Sequence, residues 1–206
     1  MIKALLDDRL DGWLSRLLPF LFRGPLSPNL LTVVGTLISL AAAVAFALGC
    51  FVAGGALMLA GGFFDLVDGA VARHRGIATR FGGFLDSTLD RLVDMALLLG
   101  LAMNFALQGE PGRVLLAGCA LIASVLVSYA QARAQVSVPS FFGVGIFERG
   151  ERFVLLAAGA ILGFVVLALW IIAIGSAVTV VQRMAHAFRE MERIDAAERA
   201  SLEGNT

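Results

Sequence analysis

Several residue types are nearly missing from this chain. Among 206 residues there are one lysine, Lys3, one tyrosine, Tyr129, two histidines and two cysteines. Cys50 and Cys119 cannot build a disulfide framework, and both lie in apolar runs where they read as small packing residues. Charged residues make up only 16% of the chain, against about 25% in ordinary soluble domains. Hydrophobic residues reach 59% and the mean hydropathy is +0.87. Together these values exclude a soluble domain and a disordered chain. The formal net charge is zero, which gives no basis for a nucleic-acid partner. Between residues 24 and 109 the acids are Asp65, Asp68, Asp86, Asp90 and Asp94 and no others.

What the chain has in quantity is apolar length. A hydrocarbon core of about 30 Å calls for about 20 apolar residues per helix. The hydrophobic runs predict six spans over 29–49, 53–74, 81–107, 113–136, 150–167 and 170–190. The turn between the last two is expected near Leu167–Trp170. Before them, Ile2, Leu5, Leu6, Leu10, Trp13, Leu14, Leu17, Leu18 and Leu21 recur at spacings of three and four. That pattern predicts an amphipathic helix in the membrane interface. The expected fold is therefore an all-α integral membrane protein with six transmembrane helices after an N-terminal interfacial helix. It reads as one domain, 1–206, with the interfacial helix in 1–24, the bundle in 29–190 and a charged tail in 191–206.

Arginine placement sets the expected topology. Of 15 arginines, only Arg113 falls in a loop opposite to the others, while Arg91 sits inside the third span. The excess of arginine marks the cytoplasmic side. Both termini and the loops at 74–80 and 136–150 are accordingly expected in the cytoplasm, with the chain in the cell membrane.

The five aspartates need an explanation at that depth, where one carboxylate costs roughly 2.5–3.5 kcal/mol on insertion scales. Asp65 and Asp68 are three residues apart, and Asp86 and Asp90 are four apart, so each pair shares a helix face. An antiparallel hairpin of the second and third spans would bring all four together. Clustered like charges call for a cation, and hard oxygen donors call for Mg²⁺ or Mn²⁺, with two ions expected. No cysteine or histidine joins the cluster, which argues against zinc. His74 is close enough in sequence to reach it, but reads more simply as an interfacial loop residue. Gly69, Gly82 and Gly83 leave room for a ligand, Ala72 keeps that helix face small, and Arg73 offers a planar donor fork to phosphate oxygens. Carboxylates, metal and arginine at a membrane surface suit a lipid-linked pyrophosphate.

The run Asp65-Leu-Val-Asp68-Gly69-Ala-Val-Ala72-Arg73, then eight residues, Gly82, three residues, Asp86, three residues and Asp90, resembles the CDP-alcohol phosphotransferase signature at all eight fixed positions. The resemblance implies displacement of CMP from a CDP-linked lipid by an alcohol. It implies that Asp65, Asp68, Asp86 and Asp90 hold metal and that Asp90 also removes the alcohol proton. It places the nucleotide diphosphate at Gly69, Ala72, Arg73, Thr79 and Gly82, and at the first-span segment Asn29-Leu30-Leu31-Thr32. A homodimer is also implied. Asp94 lies outside the signature and reads as a supporting or helix-surface residue.

A second set of residues bears on the acceptor. Ser128 and Gln131 end the fourth span, Arg149 and Arg152 open the fifth, and Arg183 lies late in the sixth. These positions resemble those of the bacterial phosphatidylinositol-phosphate synthases, in which the counterparts of Ser128, Arg152 and Arg183 hold the phosphate of inositol phosphate. Gln131 stands where that group carries Lys, and Gly150 where it carries Pro. The expected partners are therefore a CDP-linked lipid, a small phosphorylated polyol and membrane lipids. Inositol 1-phosphate is the leading acceptor and glycerol 3-phosphate the alternative. A cation or proton transporter is the reading from another class. It would want polar groups toward the outer half as well, and no acid follows Asp94 within the spans until Glu148.

Overall fold

Local chemistry sets where each helix starts. The computed structural model describes residues 27–138, 141 and 144–203. Ser27 Oγ accepts from the Leu30 N–H and Pro28 fills the first turn, opening α1 (Pro28–Ala47). The chain turns at Gly49 into α2 (Phe51–His74). Thr79 caps α3 (Arg80–Leu107), its Oγ1 accepting from the Gly82 N–H at 3.0 Å. Pro111 opens α4 (Pro111–Ser137), and α5 (Arg149–Ile161) and α6 (Val165–Glu203) complete the order. No strand occurs among the described residues. The expected interfacial helix, 1–24, lies outside them.

Helices α1, α2, α4 and α6 are long and apolar enough to cross a membrane, and the chain is a multi-pass membrane protein. Helix α3 is longer than α1 but carries Asp86, Asp90, Arg91 and Asp94 between its N-terminus and its middle. Helix α5 has 13 residues, about 20 Å at 1.5 Å per residue. The expected fifth span, 150–167, is therefore too long. The turn comes at Leu162–Phe164 rather than Leu167–Trp170, because Gly163 adopts φ +79°, a left-handed conformation that ends α5. The charged tail is helical, as α6 runs unbroken to Glu203. Neither Cys50 nor Cys119 packs inside the protein; both are exposed.

All six helices contribute to one core. Ala42 and Phe46 of α1, Met58 of α2, Leu97 and Leu101 of α3, Ala117 and Ala120 of α4, Ala157 of α5, and Leu169 and Ile172 of α6 are almost fully buried in it. Lipid tails are as apolar as these side chains, so close packing rather than escape from water holds the bundle together. Helix α1 is approached closely by α3, where a Cβ on Gly100 would meet the Ala43 carbonyl oxygen, and by α2. A Cβ on Gly61 would sit 2.8 Å from the Gly35 carbonyl oxygen, and one on Gly35 would sit 3.0 Å from that of Gly61. Gly55 packs in the same manner on Ala157 of α5, within the chain.

Helices α2 and α3 do not form the packed hairpin that the sequence suggested. Each leans on α1 instead, while α2 also packs on α5 and α3 on α4. The carboxylates of α2 and α3 thus face one another across a gap rather than across a helix interface. That gap is where the site lies.

Candidate active site

Helical periodicity aims the acids into the gap. Carboxylate oxygens of Asp65, Asp68 and Asp86 all lie within 4.8 Å of one another. Asp68 is 5% exposed, and its Oδ2 is buried with no hydrogen-bond partner among the described residues. A buried carboxylate oxygen left unpaired is costly. Three hard oxygen donors at this spacing, one of them orphaned, fit a divalent cation. Asp90, expected in the same cluster, stands apart from this trio and faces an arginine.

That arginine is Arg149, the first residue of α5. Its Nη1 lies 2.9 Å from Asp65 Oδ2, its Nη2 2.8 Å from Asp90 Oδ1 and its Nε 3.4 Å from Asp94 Oδ1. One guanidinium therefore ties α5 to both α2 and α3, with its face over the Phe153 ring at 5.6 Å. The sequence placed Arg149 among several arginines on one side of the membrane. Its three-way pairing was not foreseen, because nothing local in the sequence links position 149 to positions 65, 90 and 94.

Two cavities flank the carboxylates. The first, about 380 Å³, is lined by Asn29, Thr32, Asp68, Gly69, Ala72, Arg73, Thr79, Gly82 and Asp86, among others. Seven of the nine residues expected at the nucleotide thus line one cavity. Arg73 rests against Gly69, where a Cβ would sit 3.1 Å from Nη1. Leu30 and Leu31 are the exceptions. Leu31 is 4% exposed and packs on Val67, Ala70 and Val71, while Leu30 points outward. Successive helical residues are turned by about 100°, so a face that presents Asn29 and Thr32 cannot also present the two leucines. Ile77 and Ala78 of the connecting loop also line this cavity and were not anticipated. His74 is exposed and does not line it.

The second cavity, about 410 Å³, lies toward α4, α5 and α6. Ser128, Gln131, Arg152 and Arg183 all line it, as expected, together with Arg91, Arg149 and Glu148. Its arginines are held by backbone as well as by charge. Arg183 donates from Nε to the Val144 carbonyl at 2.7 Å and from Nη1 to the Val127 carbonyl at 2.6 Å. Arg152 Nη1 donates to the Phe147 carbonyl at 3.1 Å. The segment carrying the Val144 and Phe147 carbonyls is itself pinned to α6. The Ile146 N–H donates to Gln182 Oε1 and the Phe147 N–H to Thr179 Oγ1. A concave wall with four guanidiniums and one carboxylate suits an anion.

Known proteins share this architecture. The archaetidylinositol phosphate synthase of Pyrococcus horikoshii is 36% identical over 167 residues, spanning 81% of this chain and 86% of that protein. The phosphatidylinositol phosphate synthase of Mycobacteroides abscessus is 40% identical, spanning 82% and 80%. Among solved structures, the Mycobacterium tuberculosis phosphatidylinositol phosphate synthase with CDP-DAG bound superposes with a TM-score of 0.76 at 32% identity, covering 87% of this chain and 94% of that one. The same enzyme in complex with manganese and citrate gives 0.74 at 30% identity, covering 88% of each. The family model for CDP-alcohol phosphatidyltransferases matches residues 25–182, and the chain is an enzyme of that family.

Proposed function

We propose that the protein transfers a phosphatidyl-type group from a CDP-linked lipid, CDP-diacylglycerol or an archaeal-type counterpart, to inositol 1-phosphate, releasing CMP. The observation that carries this reading is the pair of cavities on either side of one carboxylate set. The first suits a nucleotide diphosphate and the second a phosphorylated acceptor. A neutral or zwitterionic acceptor would not call for the four guanidiniums of Arg91, Arg149, Arg152 and Arg183 around the second. Relatives named for inositol phosphate products add support.

Asp65, Asp68, Asp86 and Asp90 would hold the metal, two ions of Mg²⁺ or Mn²⁺. Bound there, divalent cations would neutralise charge developing on the leaving CMP and orient in-line attack. Arg73, rigid against Gly69, and Asn29 and Thr32 of α1 hold the diphosphate. Ser128, Arg152 and Arg183 fix the acceptor phosphate, which sets its hydroxyl toward the carboxylates. Asp90, whose Oδ1 contacts Arg149 of the acceptor wall, takes the hydroxyl proton as general base.

The same reading takes the chain as one domain of six spans in the cell membrane, with the site and both termini cytoplasmic, working as a homodimer. A panel of acceptors tests it. Purified protein with CDP-diacylglycerol and Mg²⁺ or Mn²⁺ should release CMP with inositol 1-phosphate. Release with glycerol 3-phosphate alone would replace the acceptor, and release with neither would overturn the proposal.

A further inference from the structure

Asp94 lines neither the nucleotide-side nor the acceptor-side cavity, yet it pairs with two arginines of the acceptor wall. It lies one helical turn past Asp90 on α3, between the buried core residues Val93 and Leu97. Its two oxygens face different arginines. Oδ1 is 3.4 Å from Arg149 Nε, and Oδ2 is 3.6 Å from Arg152 Nη2. Both arginines line the second cavity.

The division of nitrogens gives this arrangement its meaning. With Nε toward Asp94, Arg149 has its two outer nitrogens directed at Asp65 and Asp90. Arg152 is 5% exposed, with Nη1 on the Phe147 carbonyl and Nη2 without a hydrogen-bond partner among the described residues. The charge of Asp94 therefore stands beside the least satisfied end of a buried guanidinium. Behind the pair lies a small cavity lined by Ser124, Leu97, Leu98, Leu156 and Ile172, so the surroundings are largely apolar. A charge contact in such surroundings is screened little by solvent.

We infer that Asp94 is a positioning residue for the acceptor: it fixes the orientation of Arg149 and Arg152 together, and so sets the shape and charge of the acceptor cavity. This rests on the reading of that cavity given above. Asp94 touches neither substrate. A carboxylate that merely filled space would have no reason to divide its oxygens between the two arginines of one cavity wall.

Asp94→Asn keeps the shape and removes the charge. It should raise the KM for the phosphorylated acceptor about tenfold, with the KM for CDP-lipid changed by less than about twofold, a size typical of coupling between contacting charges. In a double-mutant cycle, Arg152→Gln should cost less in the Asp94→Asn background than alone. Additive effects, or equal rises in both KM values, would overturn the inference. Asp94→Glu keeps the charge and serves as the second variant if the Asn form fails to fold; it should shift the acceptor KM in the same direction by a smaller factor. An unchanged acceptor KM in Asp94→Glu would count against positioning. Unsubstituted protein that releases no CMP overturns the proposed reaction instead. Inorganic phosphate binding, followed by calorimetry on the unsubstituted and Asp94→Asn proteins, still decides the role of Asp94, with equal affinities overturning it.

Discussion

Replacing Arg149 with Met removes a cation and keeps much of its apolar bulk. The guanidinium contacts carboxylates at 2.9, 2.8 and 3.4 Å. Removing one partner of a fully buried pair costs about 3–5 kcal/mol, because the other is left uncompensated. The Arg149 side chain is 29% exposed, so water screens part of that and about 2 kcal/mol is the better expectation. For a chain of this size that lowers the midpoint of thermal unfolding by about 5 °C in metal-free detergent solution. A second effect should accompany the first. Asp65 and Asp90 serve Arg149 here, and they are also proposed to hold a divalent cation. Freed of the guanidinium, they should bind Mn²⁺ more tightly. A cation at 100 times its dissociation constant stabilises by about 2.7 kcal/mol, and tenfold tighter binding adds about 1.4 kcal/mol. Saturating Mn²⁺ should therefore narrow the deficit of Arg149→Met to within about 2 °C of the unsubstituted protein. The assay is a melting curve of each protein with chelator and across a Mn²⁺ titration. If the deficit is the same at both extremes, the guanidinium and the cation do not share these carboxylates, and the reasoning fails.

Three further outcomes are expected. Asp68→Asn and Asp86→Asn should each lose Mn²⁺ binding by electron paramagnetic resonance, because each removes one of three oxygens lying within 4.8 Å of one another; undiminished binding in either would place the metal elsewhere. Leu31→Ala should lower thermal stability by about 2 kcal/mol or more while leaving the KM for CDP-lipid unchanged, since Leu31 packs on Val67 and Val71 rather than lining the cavity; a raised KM at full stability would restore it as a nucleotide contact. Gly69→Val should raise the KM for CDP-lipid at least tenfold, because a Cβ there already meets Arg73 Nη1 at 3.1 Å; normal lipid binding would mean that Arg73 does not hold the diphosphate.

Much of this site is written in the sequence because it is local. Asp65, Asp68, Gly69, Ala72 and Arg73 lie within three turns of α2, and Gly82 and Asp86 lie within two turns of α3. Helical spacing alone decides that such residues share a face. The errors arose where local spacing does not decide. Leu30 and Leu31 belong to a matching segment, but the helix turns them away from the cavity that Asn29 and Thr32 line. Inside its apolar run Gly163 carries no turn signal, yet its left-handed conformation ends α5. The links between Arg149 and Asp65, or between Arg183 and the carbonyls of Val127 and Val144, span 84, 56 and 39 residues. Pairings at that separation come from tertiary packing and have no periodicity to reveal them. Asp94 is the intermediate case. It continues the four-residue register of Asp86 and Asp90, so its face was readable, but its partners on α5 were not.

The two cavities solve one electrostatic problem in different ways. A diphosphate and a second phosphate repel, yet the reaction proposed needs them adjacent. On the acceptor side the positive charge belongs to the protein and is fixed. Arg183 and Arg152 are bonded to the Val144 and Phe147 carbonyls of the segment between α4 and α5, Arg183 also to that of Val127 in α4, and the segment is pinned in turn by Thr179 and Gln182 of α6. On the donor side the protein itself contributes mostly negative charge, with Asp68 and Asp86 lining the cavity beside Arg73. Those acids cannot attract a diphosphate by themselves; they require cations taken from solution. Binding at the first cavity is thereby tied to divalent metal, while the second is preorganised without it. Arg149 stands at the boundary, lining the acceptor cavity and pairing with carboxylates proposed to hold metal. Metal held by Asp65 and Asp90, as proposed, would weaken the hold of those acids on Arg149 and leave its charge more available to an acceptor phosphate. On the proposed metal site, occupation of the donor side and strengthening of the acceptor side would be coupled through a single guanidinium.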